Sequence, residues 1–431
     1  MQLKRSGLAG QRAALLSATR VAAIAATVAV PSYPTAAERD EPMVETETRV
    51  IDAPDSGQPR HHRAGSLTMR ASTEVSAYSD TDSVHVLSPT VSGSVADEVA
   101  GWSVSGRYLV DAVSAASVDI VSTASKHWFE VRHVGSLAAD VKAGSVGIGL
   151  AGGVSHEPDY LSLSGGGLLS VETLDKNLTP FLAVSYGHDD VGRTGLPKDQ
   201  WHTLQKGTGQ LGATFVVDRA TIASVSVDGI FERGYLAKPY RYVPLFAPGT
   251  GASVPAGASV ALVNERRLSE RPVDAVPDAR DRYALSGRLA HRFDESTIRV
   301  DQRLYHDSWG AWASTTEGRY LVDVGQRLLI WPHARFNAQS GIDFWRRTYE
   351  ATAAPDGTLA VPRYRTGDRE LGPLYTTTVG GGVRAQVSMD PRSPWFLTLQ
   401  FEGMYTRFLD ALYVTQRRAI FGNLVFEAGF E

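Results

Sequence analysis

Two short runs place carboxylates beside histidine. His156-Glu157 is followed closely by Asp159, and His188 by Asp189-Asp190, with Asp119 at the same rim of the inferred structure. Imidazole plus carboxylate suits a divalent transition metal, and carboxylates alone suit calcium. Neither run has the spacing of an EF-hand loop or a zinc-protease helix, so the reading is a hydrated polar rim and no metal is assigned. Ser155-His156-Glu157 holds the residue types of a hydrolase triad. On a strand, however, successive side chains point to opposite faces, so these three cannot act together. There is no G-x-S-x-G and no glycine-rich phosphate loop, and the chain has no Cys, which excludes thiol catalysis and thiolate metal sites. Neither a catalytic residue nor a cofactor is expected.

The remaining charges of interest lie inside stretches of alternating hydrophobicity, on the polar face. They are Glu130 and Arg132, Asp228 and Glu232, Arg288, the row Arg299, Asp301 and Arg303, then Asp323, Arg335, Asp343, Arg384, Glu402 and Glu427. Around them, Ala334, Phe336, Ala338, Ile342 and Phe344 oppose Arg335, Asn337, Gln339 and Asp343. Trp395, Leu397, Leu399, Phe401 and Tyr405 oppose Thr398, Gln400 and Glu402. At the carboxy end, Ile420, Leu424, Phe426, Ala428 and Phe430 share one face. Period two of this kind predicts strands. About sixteen are counted: 66–79, 82–95, 100–112, 126–141, 144–155, 158–173, 177–189, 204–218, 220–235, 281–293, 295–308, 316–330, 334–349, 372–389, 394–408 and 412–430.

Even-to-odd connections are tight, as at Asp218-Arg219, Asp294-Glu295 and Trp331 to His333. Most odd-to-even connections are longer: 113–125, 190–203, 236–280, 309–315 and 350–371. Short turns on one rim and long loops on the other are the asymmetry of an outer-membrane barrel. The expected fold is therefore all-β, a transmembrane antiparallel β-barrel of about sixteen strands with short periplasmic turns and long extracellular loops. The listed charges then become lumen-lining candidates. All eight Trp fall near strand ends or in loops, which suits interfacial girdles. The 236–280 loop is rich in Pro, yet Tyr240, Tyr242, Leu245 and Phe246 give it apolar content to bury. It is expected to pack as a constriction or a cover.

Residues 1–37 read as a secretory signal, with Lys4, Arg5, Arg12 and Arg20 before the apolar run Val21 to Val30. Residues 38–65 read as a disordered periplasmic arm, and 66–431 as the barrel. Without the signal the chain has 39 basic against 47 acidic residues, a net charge of −8, which argues against a nucleic-acid partner. The expected location is the outer membrane, with lipids and the barrel assembly machinery as partners.

Four segments go beyond pattern: Tyr108-Leu-Val-Asp-Ala-Val-Ser-Ala-Ala-Ser117, Glu157-Pro-Asp-Tyr-Leu-Ser162, Arg280-Asp-Arg-Tyr-Ala-Leu285, and Arg299-Val-Asp-Gln-Arg-Leu-Tyr-His-Asp-Ser-Trp-Gly310 leading into Thr315-Thr-Glu317. Together they resemble a family of uncharacterised Gram-negative outer-membrane barrels of about 400 residues. The resemblance covers most of 66–431, implies a membrane barrel and carries no ligand or catalytic residues. The expected function is a passive or weakly selective channel for small polar solutes. The alternatives are a non-transporting barrel that anchors, assembles or secretes periplasmic protein partners, and, third, a barrel enzyme.

Overall fold

The structure, a computed structural model, describes residues 67–115, 128–353, 359–390 and 393–430. The signal (1–37) and arm (38–65) lie outside these residues. Nine strands come first: β1 Leu67–Asp80, β2 Val84–Asp97, β3 Trp102–Ala115, β4 Trp128–Ala143, β5 Val146–Glu157, β6 Tyr160–Val171, β7 Leu178–Val191, β8 His202–Val216 and β9 Thr221–Gly234. A short helix, α1 (Val260–Arg266), lies in the following loop. Seven more strands follow: β10 Ala279–Arg292, β11 Ser296–Asp307, β12 Trp312–Val324, β13 Leu328–Gln339, β14 Leu374–Gln386, β15 Trp395–Phe408 and β16 Gln416–Phe430. Each pairs antiparallel with its sequence neighbours, and β16 pairs with β1 from Met69↔Phe430 to Asp80↔Ala419, so the sheet is a closed barrel. Closure leaves no open edge, the condition for strands to cross hydrocarbon. Among the described residues no helix is long and apolar enough to cross a membrane.

The two faces of the wall are chemically distinct. On β15, Leu397, Leu399 and Phe401 are exposed, whereas Glu402, on the other parity, is buried. The same holds around the ring: large apolar side chains stand exposed on one face and charged ones are buried or paired on the other. A soluble sandwich buries its apolar face. Here the apolar face is the outer one, as in a transmembrane barrel.

One stretch departs from the sequence reading. The β12–β13 turn lies at 325–327, where Gly325 takes φ +64, a left-handed conformation suited to glycine. Trp331-Pro332-His333, read as the turn, instead lies within β13. Pro332 interrupts the ladder to β12 only locally: pairing resumes at Arg319↔His333. β13 also stops at Gln339, well short of 349. Its neighbour β14 begins at Leu374, opposite Gln339, so the wall offers no pairing partner further on. Ile342 is consequently buried in a loop cluster and does not face outward.

The connections sort by rim. One rim carries only short turns, such as 144–145, 217–220, 293–295 and 325–327; the other carries 235–278 and 340–373. The 116–127 connection lies outside the described residues. Buried apolar clusters gather at the long-loop rim. Phe246, Val254, Ala258 and Val263 of α1 pack against Leu412 and Tyr413 of the β15–β16 loop. Trp309, Ala311, Ile342 and Trp345 form a second cluster. Each fully buried Val, Leu or Phe contributes about 1.5–3 kcal/mol, so the two long loops fold as a packed cap.

The Trp girdle reading holds in part. Trp102, Trp312 and Trp395 are exposed at strand ends, as interfacial residues are. Trp309 and Trp345 are buried in the cap. Trp331 sits on the inner parity against Gly382, where a Cβ would collide with the indole.

Candidate functional site: the charged inner wall and its mouth

Strand register decides which charges meet. Arg288 lies directly across from Asp301 in the β10–β11 pair, and their side chains are ion-paired. Arg299 Nε also donates to Asp301, at 2.8 Å. Two residues along the same face, Arg303 donates to Asp228 and to Ser286 Oγ, both at 3.2 Å. Asp228 also accepts from Gln210, at 2.6 Å. Asp323 pairs with Arg292 toward the short-turn rim. Arg335 is registered opposite Glu317, which accepts from Arg319 at 2.9 Å and lies 3.3 Å from His333. His333 is also 3.0 Å from Glu402. Arg384 reaches across β15 to Glu427 at 3.1 Å and lies over the Phe396 ring.

Nearer the long-loop rim, Arg282 pairs with the fully buried Glu232 at 2.8 Å. Lys206 pairs with Asp189, and Arg280 Nε donates to Asp307 at 2.9 Å. On β3–β5, Arg132 Nε donates to Asp111 at 2.8 Å and the guanidinium lies 4.0 Å from Glu157; Glu130 is buried beside them.

Thirteen of the fourteen candidate residues thus stand on the inner face. Asp343 is the exception: it is exposed in the 340–373 loop, beside Gly310, because β13 ends before it. Sequence reasoning missed several partners: Asp111, Lys206, Arg280, Arg282, Asp307, Glu317, Arg319 and His333; from sequence Asp189 reads only as a rim residue. Parity could have found Glu317 and Arg319, which share the face of Asp323. His333 was hidden by its reading as a turn residue. The rim clusters separate as alternation requires. His188 faces Asp190 at 3.4 Å on the exposed side, while Asp189 points inward. His156 is exposed, whereas Ser155 and Glu157 are buried. Asp119 lies outside the described residues.

The cap's loops are tied to each other and to the wall through buried ion pairs. Asp368 accepts from Lys238 Nζ at 3.0 Å and pairs with Arg241 at 2.6 Å. Arg369 pairs with Asp82 of the β1–β2 turn, and Arg417 of β16 with Glu370 at 2.9 Å. Glu350 accepts from the N–H groups of Gly249 and Gly251. Tyr240 donates to Asp159; burial and that hydrogen bond raise the pKa of its phenol. Burial likewise raises the pKa of the Asp274 carboxyl, against the lowering effect of Arg241 and Lys238.

A closed, sixteen-stranded antiparallel sheet with an apolar exterior and a charged interior defines a membrane β-barrel of the outer-membrane type. Within it, residues 198–402, just under half the chain, match the family model described as "Protein of unknown function (DUF3570)", spanning β8 to most of β15. Of the four segments that carry the expected resemblance, 280–285 and 299–317 lie inside this match, and 108–117 and 157–162 lie outside it. No protein of curated function matches. Among solved structures, a "Bacterial polysaccharide outer membrane secretin" aligns with TM-score 0.42 at 9% identity, covering 86% of this chain and 99% of that one. Pseudomonas aeruginosa OccK5 (OpdH) aligns at 0.39 and 7%, covering 85% and 98%. The "CymD monoaromatic hydrocarbon channel" aligns at 0.39 and 8%, covering 86% and 90%.

Proposed function

We propose that the protein is an outer-membrane channel through which small polar solutes diffuse passively or with weak selectivity, its long loops outside the cell and its short turns in the periplasm. The observation that carries this reading is the distribution of charge around the ring. In a closed ring of sixteen strands, β3–β5 stand opposite β11–β13. Asp111, Glu130 and Glu157 lie on the first wall with Arg132; Arg299, Arg303, Arg319 and Arg335 lie on the second with Asp301, Glu317 and Asp323, so both walls carry charges of both signs. Charged groups lining a lumen shape the field across it and bias what passes, and barrels of about sixteen strands leave an aqueous lumen. The mechanism needs no cofactor, no energy input and no bond-making chemistry. The packed cap favours a second reading, a sealed barrel that anchors or assembles periplasmic proteins.

Conductance of the purified protein in a planar bilayer separates the two. The channel reading predicts discrete conductance steps in the parent. Arg299→Gln with Arg303→Gln removes two positive charges and releases Asp228 from one partner, so the reversal potential shifts toward cations. High salt blunts that shift, because the Debye length falls to about 3 Å at 1 M. A parent protein that never conducts removes the channel reading and leaves the anchor.

A further inference from the structure

We propose that Glu130, Glu157 and Asp159 form a binding site for one hard divalent cation of calcium's size at the long-loop rim. Glu130 lies near the start of β4, Glu157 ends β5, and Asp159 occupies the turn into β6. One carboxylate oxygen from each lies within 4.8 Å of the others. Two oxygens that each sit about 2.4 Å from a shared calcium are at most about 4.8 Å apart, so the three meet the distance condition for sharing one ion, with Arg132 4.0 Å from Glu157 as a neighbouring cation. All three residues are at least nine-tenths buried.

A second observation points to a missing ligand. Asp159 is 1% exposed, and its Oδ2 accepts from the Tyr240 and Thr194 hydroxyls. Its Oδ1 has no hydrogen-bond partner. Ser155 Oγ, on the inner face of β5 two residues before Glu157, is also buried without a partner. Buried polar atoms are rarely left unsatisfied in folded proteins, and an unrecorded ion is one of the standard reasons when they are. The three donors are all carboxylate oxygens, and among the described residues the group includes no imidazole or thiolate, which selects a hard cation. A carboxylate-rich set suits calcium better than magnesium, which keeps several waters and demands a tighter octahedron.

The site is coupled to the cap. The Asp159 oxygen that does not face the ion holds Tyr240 of the 235–278 loop, and the Asp159 carbonyl accepts from the Gly192 N–H at 2.8 Å. An ion here would therefore hold β4, β5 and two rim loops together, whether or not the lumen conducts.

The test uses the full-length protein in detergent micelles, stripped with EDTA and transferred to chelator-free buffer. Calorimetric titration with CaCl2 is expected to show one calcium bound per chain. Terbium should give tyrosine-sensitised emission through Tyr240 that CaCl2 displaces. Asp159→Asn and Glu130→Gln should each weaken binding about tenfold or more, since even indirect supports of metal ligands cost about that much. Asp190→Asn, on the opposite parity, should leave binding unchanged. Heat-modifiable migration on gels checks that each variant is folded. The parent's thermal midpoint should rise with CaCl2 and not with NaCl of equal ionic strength. A parent that takes up no calcium and shows no such rise overturns the proposal, as does unchanged affinity in the folded Asp159→Asn or Glu130→Gln protein.

Discussion

Asp368→Asn should loosen the cap while leaving the barrel wall intact. Asp368 is 1% exposed and faces two cations, Lys238 at 3.0 Å and Arg241 at 2.6 Å, whose side chains are only 15% and 14% exposed. It also accepts from the N–H of Glu370, and its carbonyl accepts from Trp345 Nε1 at 2.9 Å. Amidation keeps the shape and removes the charge, leaving two largely buried cations short of a counter-ion. Breaking a buried pair from one side costs about 3–5 kcal/mol. Asp274 lies close enough to both cations to interact electrostatically with them, so the lower end, about 3 kcal/mol, applies. That shifts the cap's opening equilibrium by roughly a hundredfold. The amides that report it are Val243, which donates to Pro272, and Ala275 and Arg365, which donate to each other's carbonyls. Hydrogen exchange at these three should speed up by roughly that factor, with β1–β16 unchanged. Unchanged exchange would refute the clamp. An equal loss of protection in the strands would show that Asp368 supports the whole barrel and not the cap.

Facing can be checked on β15. Leu399→Arg places a charge on the lipid side near the middle of the strand and should destabilise the barrel by about 2–4 kcal/mol, measured by urea unfolding in lipid vesicles. Gln400→Arg, which projects inward beside Glu402, should cost far less, and comparable losses would reverse the assigned faces. The cap should also respond to pH through Asp274, whose environment includes Arg241, Lys238, Arg365 and Tyr349. Its folded pKa is raised above 3.8, so the folded cap binds more protons than the open one. Cap stability therefore falls as pH rises through the window above that value. Exchange protection of Ala275, corrected for intrinsic rate, should decline across that window in the parent and stay flat in Asp274→Asn; a rise with pH would contradict the assignment.

The barrel was legible because period two and the sorting of loop lengths are local signals that one sequence displays. Most strands lie within a few residues of their expected positions, with β12 and β13 displaced, and in the last one Ile420, Leu424, Phe426 and Phe430 are exposed while Ala428 of the same set is buried. The failures came where a local signal competes with a partner elsewhere in the chain. Pro332 looks like a turn residue, yet β13 keeps it because the flanking residues pair on both sides. Ile342 and Phe344 continue the alternation of β13 into a loop. Only the starting point of β14 at Leu374 reveals that no wall remains for them to join. Trp309 and Trp345 fit a girdle by position, and only the fold of the two long loops shows that they are buried together.

Parity likewise tells which face a charge occupies but not what it meets. Arg288 and Asp301 are close in sequence, yet Asp228 and Arg303 are 75 residues apart, and Asp82 and Arg369 are 287 apart. Those pairings change how the wall acts. Asp301 serves both Arg288 and Arg299, whereas Asp228 is held by Arg303 and Gln210. Removing Arg299 therefore leaves Asp301 with Arg288, while removing Arg303 leaves Asp228 with a neutral amide. Both substitutions subtract a positive charge from the inner wall, but the second also strips a carboxylate of its guanidinium partner.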